Sequence, residues 1–180
     1  MSAPLGSLST EQFLEQYWQK QPCLIRQAIT GFEPPLDGDD LAGLACEDMA
    51  ESRLVKGTLA GADWSLETGP FSDEDFAALG DKNWTLLVQD VEKHYAPLQA
   101  LVQRFSFIPD WRLDDLMISY AATGGSVGPH VDQYDVFLLQ AEGRRRWQIA
   151  RTFEPDLLQA CPLNILQQFN PEQEWVLEPG

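Results

Sequence analysis

The sequence is poor in the residues that build disulfide frameworks, zinc sites and nucleic-acid surfaces. It has 3 cysteines in 180 residues, all far apart and without a Cys-x-x-Cys pair, which indicates reduced thiols in a cytosolic protein. Only 12 basic residues stand against 28 acidic ones, for a net charge of −16. Such a surface repels phosphate backbones and excludes generic nucleic-acid binding. The surplus of acid either attracts a basic protein partner or simply keeps the chain soluble.

The sequence also has no long apolar run, and its first residues do not have the pattern of a secretory leader. Residues 1–9 carry neither a positive n-region nor an apolar h-region, so no signal peptide is predicted. No apolar run approaches the length that spans a bilayer. We therefore expect a soluble, cytoplasmic protein without a membrane partner. The hydrophobic content of 44% and the aromatic content of 11% exclude wholesale disorder, and no repeat or linker divides the chain.

Residues 1–112 alternate helical and strand patterns. Ser9 and Gln12 have capping-box spacing at the start of the first helix, and Pro97 is expected to split the last helical stretch. Helices are predicted over residues 9–20, 39–49, 72–80 and 91–105. Strands are predicted over residues 23–28, 52–58, 62–68 and 85–89, of which 52–58 and 62–68 form a hairpin around Gly61. Residues 109–112 are predicted to form a turn.

After residue 112 the pattern changes to short strands separated by glycine turns. Strands are predicted over residues 113–122, 135–140 and 144–150, and this spacing is typical of a β-sandwich or barrel. The predicted fold class is α+β, with a mixed region over 1–112 packing on a β-core that begins at 113. We expect the two parts to form one compact unit.

The segment 124–132, GGSVGPHVD, contains the first candidate site. On an extended segment His130 and Asp132 point to the same side, and His-x-Asp supplies two of the three ligands of a non-haem iron site. An isolated His-x-Asp is more often structural than metal-binding. Here the glycines and Pro129 form an approach without side chains, which is expected to leave room for a ligand beside His130. The only other histidine, His94, is predicted to be a surface or capping residue.

The segment 143–147, GRRRW, places an arginine where it can face inward. On a strand Arg145 and Trp147 share one side and Arg144 and Arg146 the other. If Trp147 faces the core, Arg145 is buried with it and requires an anion, such as a carboxylate held by both arms of the guanidinium. The alternative is a basic surface strip in which Arg145 pairs with an Asp or Glu of the chain.

The strand at 113–122 carries an acidic residue with the same alternation. Asp115, Met117 and Ser119 share one face, whereas Asp114, Leu116 and Ile118 share the other. Asp115 is therefore aimed with Met117 at the interior, or is merely a carboxylate at a strand end near solvent.

These segments together resemble one family. The motifs are DDLMIS at 114–119, GPHVDQYDVF at 128–137 and GRRRW at 143–147, joined by WQKQP at 18–22, residues 39–45, SRLV at 52–55 and NWTLLVQ at 83–89. They resemble the bacterial ribosomal oxygenases, which are cupin-fold, Jumonji-C-type 2-oxoglutarate dioxygenases that hydroxylate an arginine of a large-subunit ribosomal protein. The likeness covers most of the chain.

The resemblance implies a role for each candidate residue. His130 and Asp132 become ligands of Fe(II) and hence catalytic residues, and Arg145 becomes the partner of the distal carboxylate of 2-oxoglutarate. Asp115, Met117 and Tyr134 would line the pocket for the substrate arginine, with Asp115 pairing its guanidinium. The resemblance also implies dioxygen as co-substrate and a double-stranded β-helix, the cupin or jelly-roll core.

Family members continue beyond the point that corresponds to Gly180. The third metal ligand and a C-terminal region that mediates homodimerisation are therefore expected there, and residues 1–180 are expected to be an N-terminal fragment, inactive alone. Two alternatives stay open: a non-catalytic acidic module that binds a basic protein, and a lysine demethylase of the same chemistry.

Overall fold

The computed structural model of the chain describes residues 2–59, 61 and 63–180. Within them the helices are α1 (Thr10–Gln16), α2 (Gly38–Ala45), α3 (Asp73–Ala77), α4 (Val91–His94) and α5 (Pro97–Val102). The strands are β1 (Ser52–Lys56), β2 (Ser65–Thr68), β3 (Trp84–Val88), β4 (Ile118–Ala121), β5 (Arg145–Ile149) and β6 (Gln173–Leu177). Two short 3-10 helices, Gln103–Phe105 and Asp110–Arg112, follow α5. The predicted α+β class is confirmed.

Three of the helices begin at a reciprocal capping box, which the sequence predicted for α1. The Ser9 hydroxyl accepts a hydrogen bond from the Gln12 N–H at 3.1 Å, and the Gln12 side chain accepts one from the Ser9 N–H at 3.0 Å. Asp37 and Ser72 cap α2 and α3 in the same way. Helices this short are marginal alone, so a cap worth about 1 kcal/mol helps decide where each one begins.

The larger sheet has the strand order β2-β1-β3-β4 and is antiparallel throughout. Its register places Arg53 opposite Leu87, and Leu87 opposite Ser119. These three residues therefore share one face of the sheet. Because side chains alternate along a strand, Leu54 and Leu86 belong to the opposite face.

The two faces of this sheet have different neighbours. The face of Leu54 and Leu86 packs against the helices in the main core, whose buried residues are Leu41, Ala45, Ala50, Leu54, Phe71, Leu86, Val88, Val91 and Leu98. The opposite face carries a smaller cluster of Val55, Trp64, Leu87 and Ile165. The helices therefore cover one face, and the other is left for the β-core and the candidate site.

Replacing Leu86 with alanine tests this division. Leu86 is 1% exposed in the main core, so Leu86→Ala should lower the free energy of unfolding by about 2–5 kcal/mol. Leu59, which is 66% exposed, is the matched control, and Leu59→Ala should change it by less than about 0.5 kcal/mol. Urea denaturation of the three proteins measures both values, and equal losses would contradict the assignment of the core.

The smaller sheet pairs β5 with β6, with Trp147 directly opposite Trp175. Just outside this pair, Glu172 accepts hydrogen bonds from the N–H groups of Arg151 and Thr152, each at 3.0 Å. These bonds, with one from the Thr152 hydroxyl, hold the pKa of Glu172 below its ordinary value. These hydrogen bonds join the two ends of the long connection between β5 and β6.

Residues 23–28 are not a strand, and that prediction is wrong. The segment instead runs beside the end of β6, held by single side-chain contacts. Arg26 donates to the Val176 carbonyl at 3.2 Å and Gln27 to the Pro179 carbonyl at 3.1 Å, while the Ile29 N–H donates to the Gly180 carbonyl at 3.1 Å. An apolar run bounded by proline and glycine does not reveal whether a strand partner is present.

The strand predicted over 135–140 is also absent, and the one over 113–122 is confined to β4. No ladder partner lies beside residues 135–140 within the described residues. In 113–117 the Leu116 N–H donates to the Glu92 carboxylate at 3.0 Å, a side chain in place of a neighbouring strand. The helix over 9–20 likewise ends at Gln16.

The remaining predicted elements are present. The hairpin is β1–β2, although residue 62, where its second strand is predicted to begin, lies outside the described residues. Pro97 separates α4 from α5, the turn at 109–112 contains a 3-10 helix, and β4 pairs with β3, so the larger sheet crosses residue 112. Among the described residues, no helix is both long and apolar enough to cross a membrane.

Candidate functional site

His130 and Asp132 lie side by side, as their spacing predicts. His130 Nε2 is 3.5 Å from Asp132 Oδ2, and the two side chains are 38% and 37% exposed. Two donors that are each about 2.1 Å from one ion are about 3 to 3.5 Å apart when they occupy neighbouring positions. The pair therefore has the spacing of two ligands on one metal ion, at a place open to solvent.

The backbone fixes which nitrogen of His130 faces that position. His130 Nδ1 lies 2.9 Å from the Gly128 carbonyl oxygen, which can only accept a hydrogen bond. Nδ1 therefore carries the proton, and Nε2 presents its lone pair beside the Asp132 carboxylate. An imidazole nitrogen and a carboxylate oxygen together suit Fe(II).

The described residues supply this metal position with two donors and no more. Within 2–59, 61 and 63–180, no group of three or more His, Cys, Asp or Glu side chains is placed to hold an ion. His94 is part of α4, in its last turn, and does not join His130. The residues present fit two positions of a facial triad.

The glycines before His130 pack closely against other parts of the chain. At Gly128, whose φ is 77°, a Cβ would lie 2.8 Å from the Ile165 side chain, and at Gly125 it would lie 2.2 Å from the Trp84 carbonyl oxygen. The space beside these glycines is therefore filled by protein, whereas room for a ligand beside His130 itself stays a prediction. The glycines let the segment pack tightly over β3 and Ile165 before it opens at His130.

Arg145 faces the larger sheet. Its Nη1 donates to the Ser119 hydroxyl at 3.3 Å, and its guanidinium carbon lies 6.0 Å from the centre of the Trp147 ring. Partial burial lowers the pKa of Arg145, yet a guanidinium stays charged at neutral pH. In the described part of the chain no carboxylate lies within 4.0 Å of it. A half-buried cation without an acidic partner is suited to an anion from outside the chain.

Ser119 is the site residue that the sequence did not single out. The alternation predicted over 113–122 placed it on the face of Asp115 and Met117, and the structure, in which these two residues precede β4, gives Ser119 a hydrogen bond with Arg145. Because the Ser119 oxygen accepts a hydrogen bond from Arg145, the Ser119 O–H can donate to an anion that is bound by Arg145.

Asp115 and Met117 precede β4 on an exposed stretch. Asp115 Oδ2 accepts a hydrogen bond from the Asp90 N–H at 3.3 Å, which orients the carboxylate without neutralising it. Met117 is 43% exposed. Both side chains are therefore accessible to a molecule that binds to the protein.

Tyr134 follows Asp132 by two residues on the same exposed segment. It is 71% exposed, and the Asp132 carboxylate raises the pKa of Tyr134, followed by burial and by Asp115, against a smaller opposing effect of Arg53. The phenol therefore keeps its proton at neutral pH and can donate a hydrogen bond.

A model of the JmjC domain family matches residues 100–180. Among curated proteins, the chain is 44% identical over 177 residues to the ribosomal protein uL16 3-hydroxylase of Escherichia coli, covering 97% of the chain and 46% of that protein. It is 43% identical over 144 residues to a probable ribosomal oxygenase of Haemophilus influenzae, covering 80% of the chain and 35% of that protein.

Solved structures agree with these matches. An X-ray structure of E. coli ycfD superposes with a TM-score of 0.90 at 42% identity, covering 99% of this chain and 47% of that one. YcfD, a ribosomal oxygenase from E. coli, in complex with cobalt and 2-oxoglutarate superposes with a TM-score of 0.83 at 43% identity, covering 97% and 44%.

The chain thus spans about half the length of the curated relatives it matches. Over the matched length, the sequence identity is 42–44% and the TM-score reaches 0.90. Residues 100–180 therefore form part of a JmjC domain, in a chain that is similar over nearly its whole length to ribosomal oxygenases.

Proposed function

We propose that the protein is an Fe(II)- and 2-oxoglutarate-dependent oxygenase that hydroxylates an arginine side chain of a large-subunit ribosomal protein. The observation that carries the proposal is the inward guanidinium of Arg145, which has no acidic partner within the described residues and shares a hydrogen bond with Ser119. It is supported by a relative named as a uL16 3-hydroxylase and by a similar structure in complex with cobalt and 2-oxoglutarate.

Arg145 and Ser119 would hold the distal carboxylate of 2-oxoglutarate. The guanidinium supplies charge and parallel N–H donors, and the serine hydroxyl adds a third donor. Burial against Trp147 excludes water from one side and strengthens the attraction. The co-substrate would thereby be oriented toward His130 and Asp132.

His130 Nε2 and Asp132 Oδ2 would supply two of the iron ligands. When bound, iron with 2-oxoglutarate and dioxygen supplies the oxidising power for inserting oxygen into a C–H bond. The protein's own part is geometric, since the Gly128 carbonyl fixes the imidazole tautomer and leaves the lone pair on the metal side.

Asp115, Tyr134 and Met117 would bind the substrate arginine. The Asp115 carboxylate pairs with a guanidinium, the protonated Tyr134 phenol donates a hydrogen bond, and Met117 contacts the aliphatic part of the side chain. The net charge of −16 would draw a basic ribosomal protein to this site.

Succinate release and peptide mass test the proposal. The experiment uses the full-length protein, by which we mean this chain with any residues that follow it in its reading frame. With Fe(II), 2-oxoglutarate and basic peptides of large-subunit ribosomal proteins, we expect succinate and a peptide heavier by one oxygen atom on arginine. Oxygen on another residue, or loss of a lysine methyl group, would reject arginine hydroxylation.

Asp115→Asn should weaken the binding of the peptide substrate without affecting the binding of 2-oxoglutarate. The amide keeps an acceptor for the Asp90 N–H and removes only the charge that pairs with the substrate guanidinium. We expect kcat/KM for the peptide to fall by about 30-fold or more, with the KM for 2-oxoglutarate unchanged.

Asp114→Asn is the matched control, because Asp114 is the adjacent exposed carboxylate and its replacement removes the same charge from the chain. Its kcat/KM should stay within about threefold of the unmodified protein. Equal losses in the two variants would show that general negative charge, and not Asp115, attracts the peptide.

A non-catalytic module that binds a basic protein is the second candidate. It is favoured by the observation that only two metal donors meet within the described residues. In that case the basic peptide binds without iron and no succinate forms in the assay above.

A further inference from the structure

The segment that carries the two metal-ligand candidates is not held by a sheet. Residues 130–138 are exposed, and among the described residues none of the backbone groups of 130–139 takes part in a backbone hydrogen bond. The flanking residues are anchored, since the Pro129 carbonyl accepts from the Leu166 N–H at 2.8 Å and the Gln140 carbonyl from the Gly180 N–H at 3.0 Å. What fixes the ten residues between them must be side chains.

One of these side-chain anchors is Asp135. The Gln19 amide donates to Asp135 Oδ2 at 2.9 Å, and Arg112 Nη2 lies 4.0 Å from the same oxygen. Arg112 is itself held, because its guanidinium carbon lies 5.4 Å from the centre of the Trp18 ring. The carboxylate of Asp135 thus connects the ligand segment to the turn after α1 and to the 3-10 helix Asp110–Arg112.

The second anchor is Phe137, two residues further on. Its ring lies 4.8 Å from that of Phe105 and 5.8 Å from those of Phe13 and Trp18, where it stacks on the indole at 14°. Phe107 closes the group at 6.0 Å. Every one of these partners comes from residues 13–107, which is far from the segment along the chain.

Gln19 reaches Asp135 from an unusual backbone conformation. Its φ is 56°, in the left-handed region that residues other than glycine enter at a cost. Such strain persists only where the surroundings determine it. Among the described residues, the Gln19 side chain makes its polar contact with Asp135, through this hydrogen bond.

We propose that Gln19 and Asp135 are positioning residues for the metal site, with Gln19 holding Asp135 so that Asp132 and His130 stay in place. Three residues span at most about 10 Å, so a displacement of Asp135 passes directly to Asp132. This inference rests on the proposed function, because it takes His130 and Asp132 as the ligands.

Metal affinity of the full-length protein tests the proposal, with Co(II) as the probe and a competing chelator setting its free concentration. Gln19→Ala removes a neutral, exposed side chain and leaves a residue with the same left-handed backbone cost. Loss of the one hydrogen bond should raise the Co(II) dissociation constant by about threefold to tenfold. The visible absorption of bound Co(II) should change shape, since the ligand geometry is loosened.

Asp135 variants separate position from charge. Asp135→Asn keeps an oxygen for the Gln19 amide and should bind Co(II) within about twofold of the unmodified protein, whereas Asp135→Ala should lose at least as much affinity as Gln19→Ala. The double variant with alanine at both positions should be no weaker than Asp135→Ala alone. If Asp135→Asn falls as far as Asp135→Ala, negative charge and not position carries the effect, and the proposal is overturned.

Glu67→Ala is the matched control, because Glu67 has an ion pair with Lys56 at 2.6 Å on the β1–β2 hairpin, on the sheet face opposite to Ser119. It should leave the Co(II) affinity and spectrum unchanged, and a loss equal to that of Gln19→Ala would also overturn the proposal. His130→Ala separates the assignment of the metal ligands from the positioning role of Gln19. If it leaves Co(II) binding intact, the ligand assignment fails; if it abolishes binding while Gln19→Ala has no effect, only the positioning role fails.

Discussion

Turnover in the full-length protein should fall by about 10³ or more when His130 is replaced with alanine. The variant removes one of the two metal donors that meet at 3.5 Å, and the contribution of a bound ion to a reaction is several kcal/mol. Succinate release with Fe(II), 2-oxoglutarate and the basic peptide measures the loss. Turnover equal to that of the unmodified protein would remove His130 from the ligand set.

The chain contains its own control for this change. It has 2 histidines, and the other one, His94, lies in the last turn of α4. His94→Ala should retain turnover within about twofold, because substitutions away from special contacts change little. A shared loss in both variants would point to folding and not to metal binding.

Affinity for 2-oxoglutarate should fall by about 30-fold or more when Arg145 is replaced with methionine. Methionine keeps much of the length and the contact with Trp147 but has no guanidinium for the distal carboxylate, and breaking a charged pair costs about 2–5 kcal/mol. Calorimetric titration of 2-oxoglutarate into the full-length protein with Mn(II) measures it. The KM for the peptide should change less than the KM for 2-oxoglutarate.

Arg146→Met is the matched control, one residue along the same strand. Its side chain is 67% exposed and lies 3.7 Å from Glu174, on the side of β5 opposite to Arg145. Its affinity for 2-oxoglutarate should stay within about twofold. A greater loss in Arg146→Met than in Arg145→Met would show that the co-substrate binds on the Arg146 side of β5, and would contradict the role of Arg145.

Residue alternation along strands is the part of the site that sequence predicts well. It places Arg145 on the side of β5 opposite to Arg146, and the hydrogen bond from Arg145 to Ser119 shows that this side faces the larger sheet. The capping boxes and the break at Pro97 are equally local signals, so they too are readable from a few neighbouring residues.

Contacts between distant parts of the chain are what sequence patterns do not contain. The residues 135–140 have the composition of a strand, but strand formation needs a partner, and their anchors are a glutamine 116 positions away and an aromatic cluster. The glycines of 124–128 predict a close backbone approach, but they do not predict that Ile165 and Trp84 are the residues that fill the space beside them. Segment 23–28 fails for the same reason, since it is held by side chains at the end of β6.

The two sheets of the chain have separate hydrogen-bond ladders, and Ser119 and Arg145 stand on opposite sides of that division. A dicarboxylate bound by both residues would stabilise the folded chain, because a ligand that binds only the folded state stabilises it by mass action. The melting temperature of the protein would then rise with the concentration of its co-substrate. In a cell, the supply of that dicarboxylate would then set how long the folded protein survives.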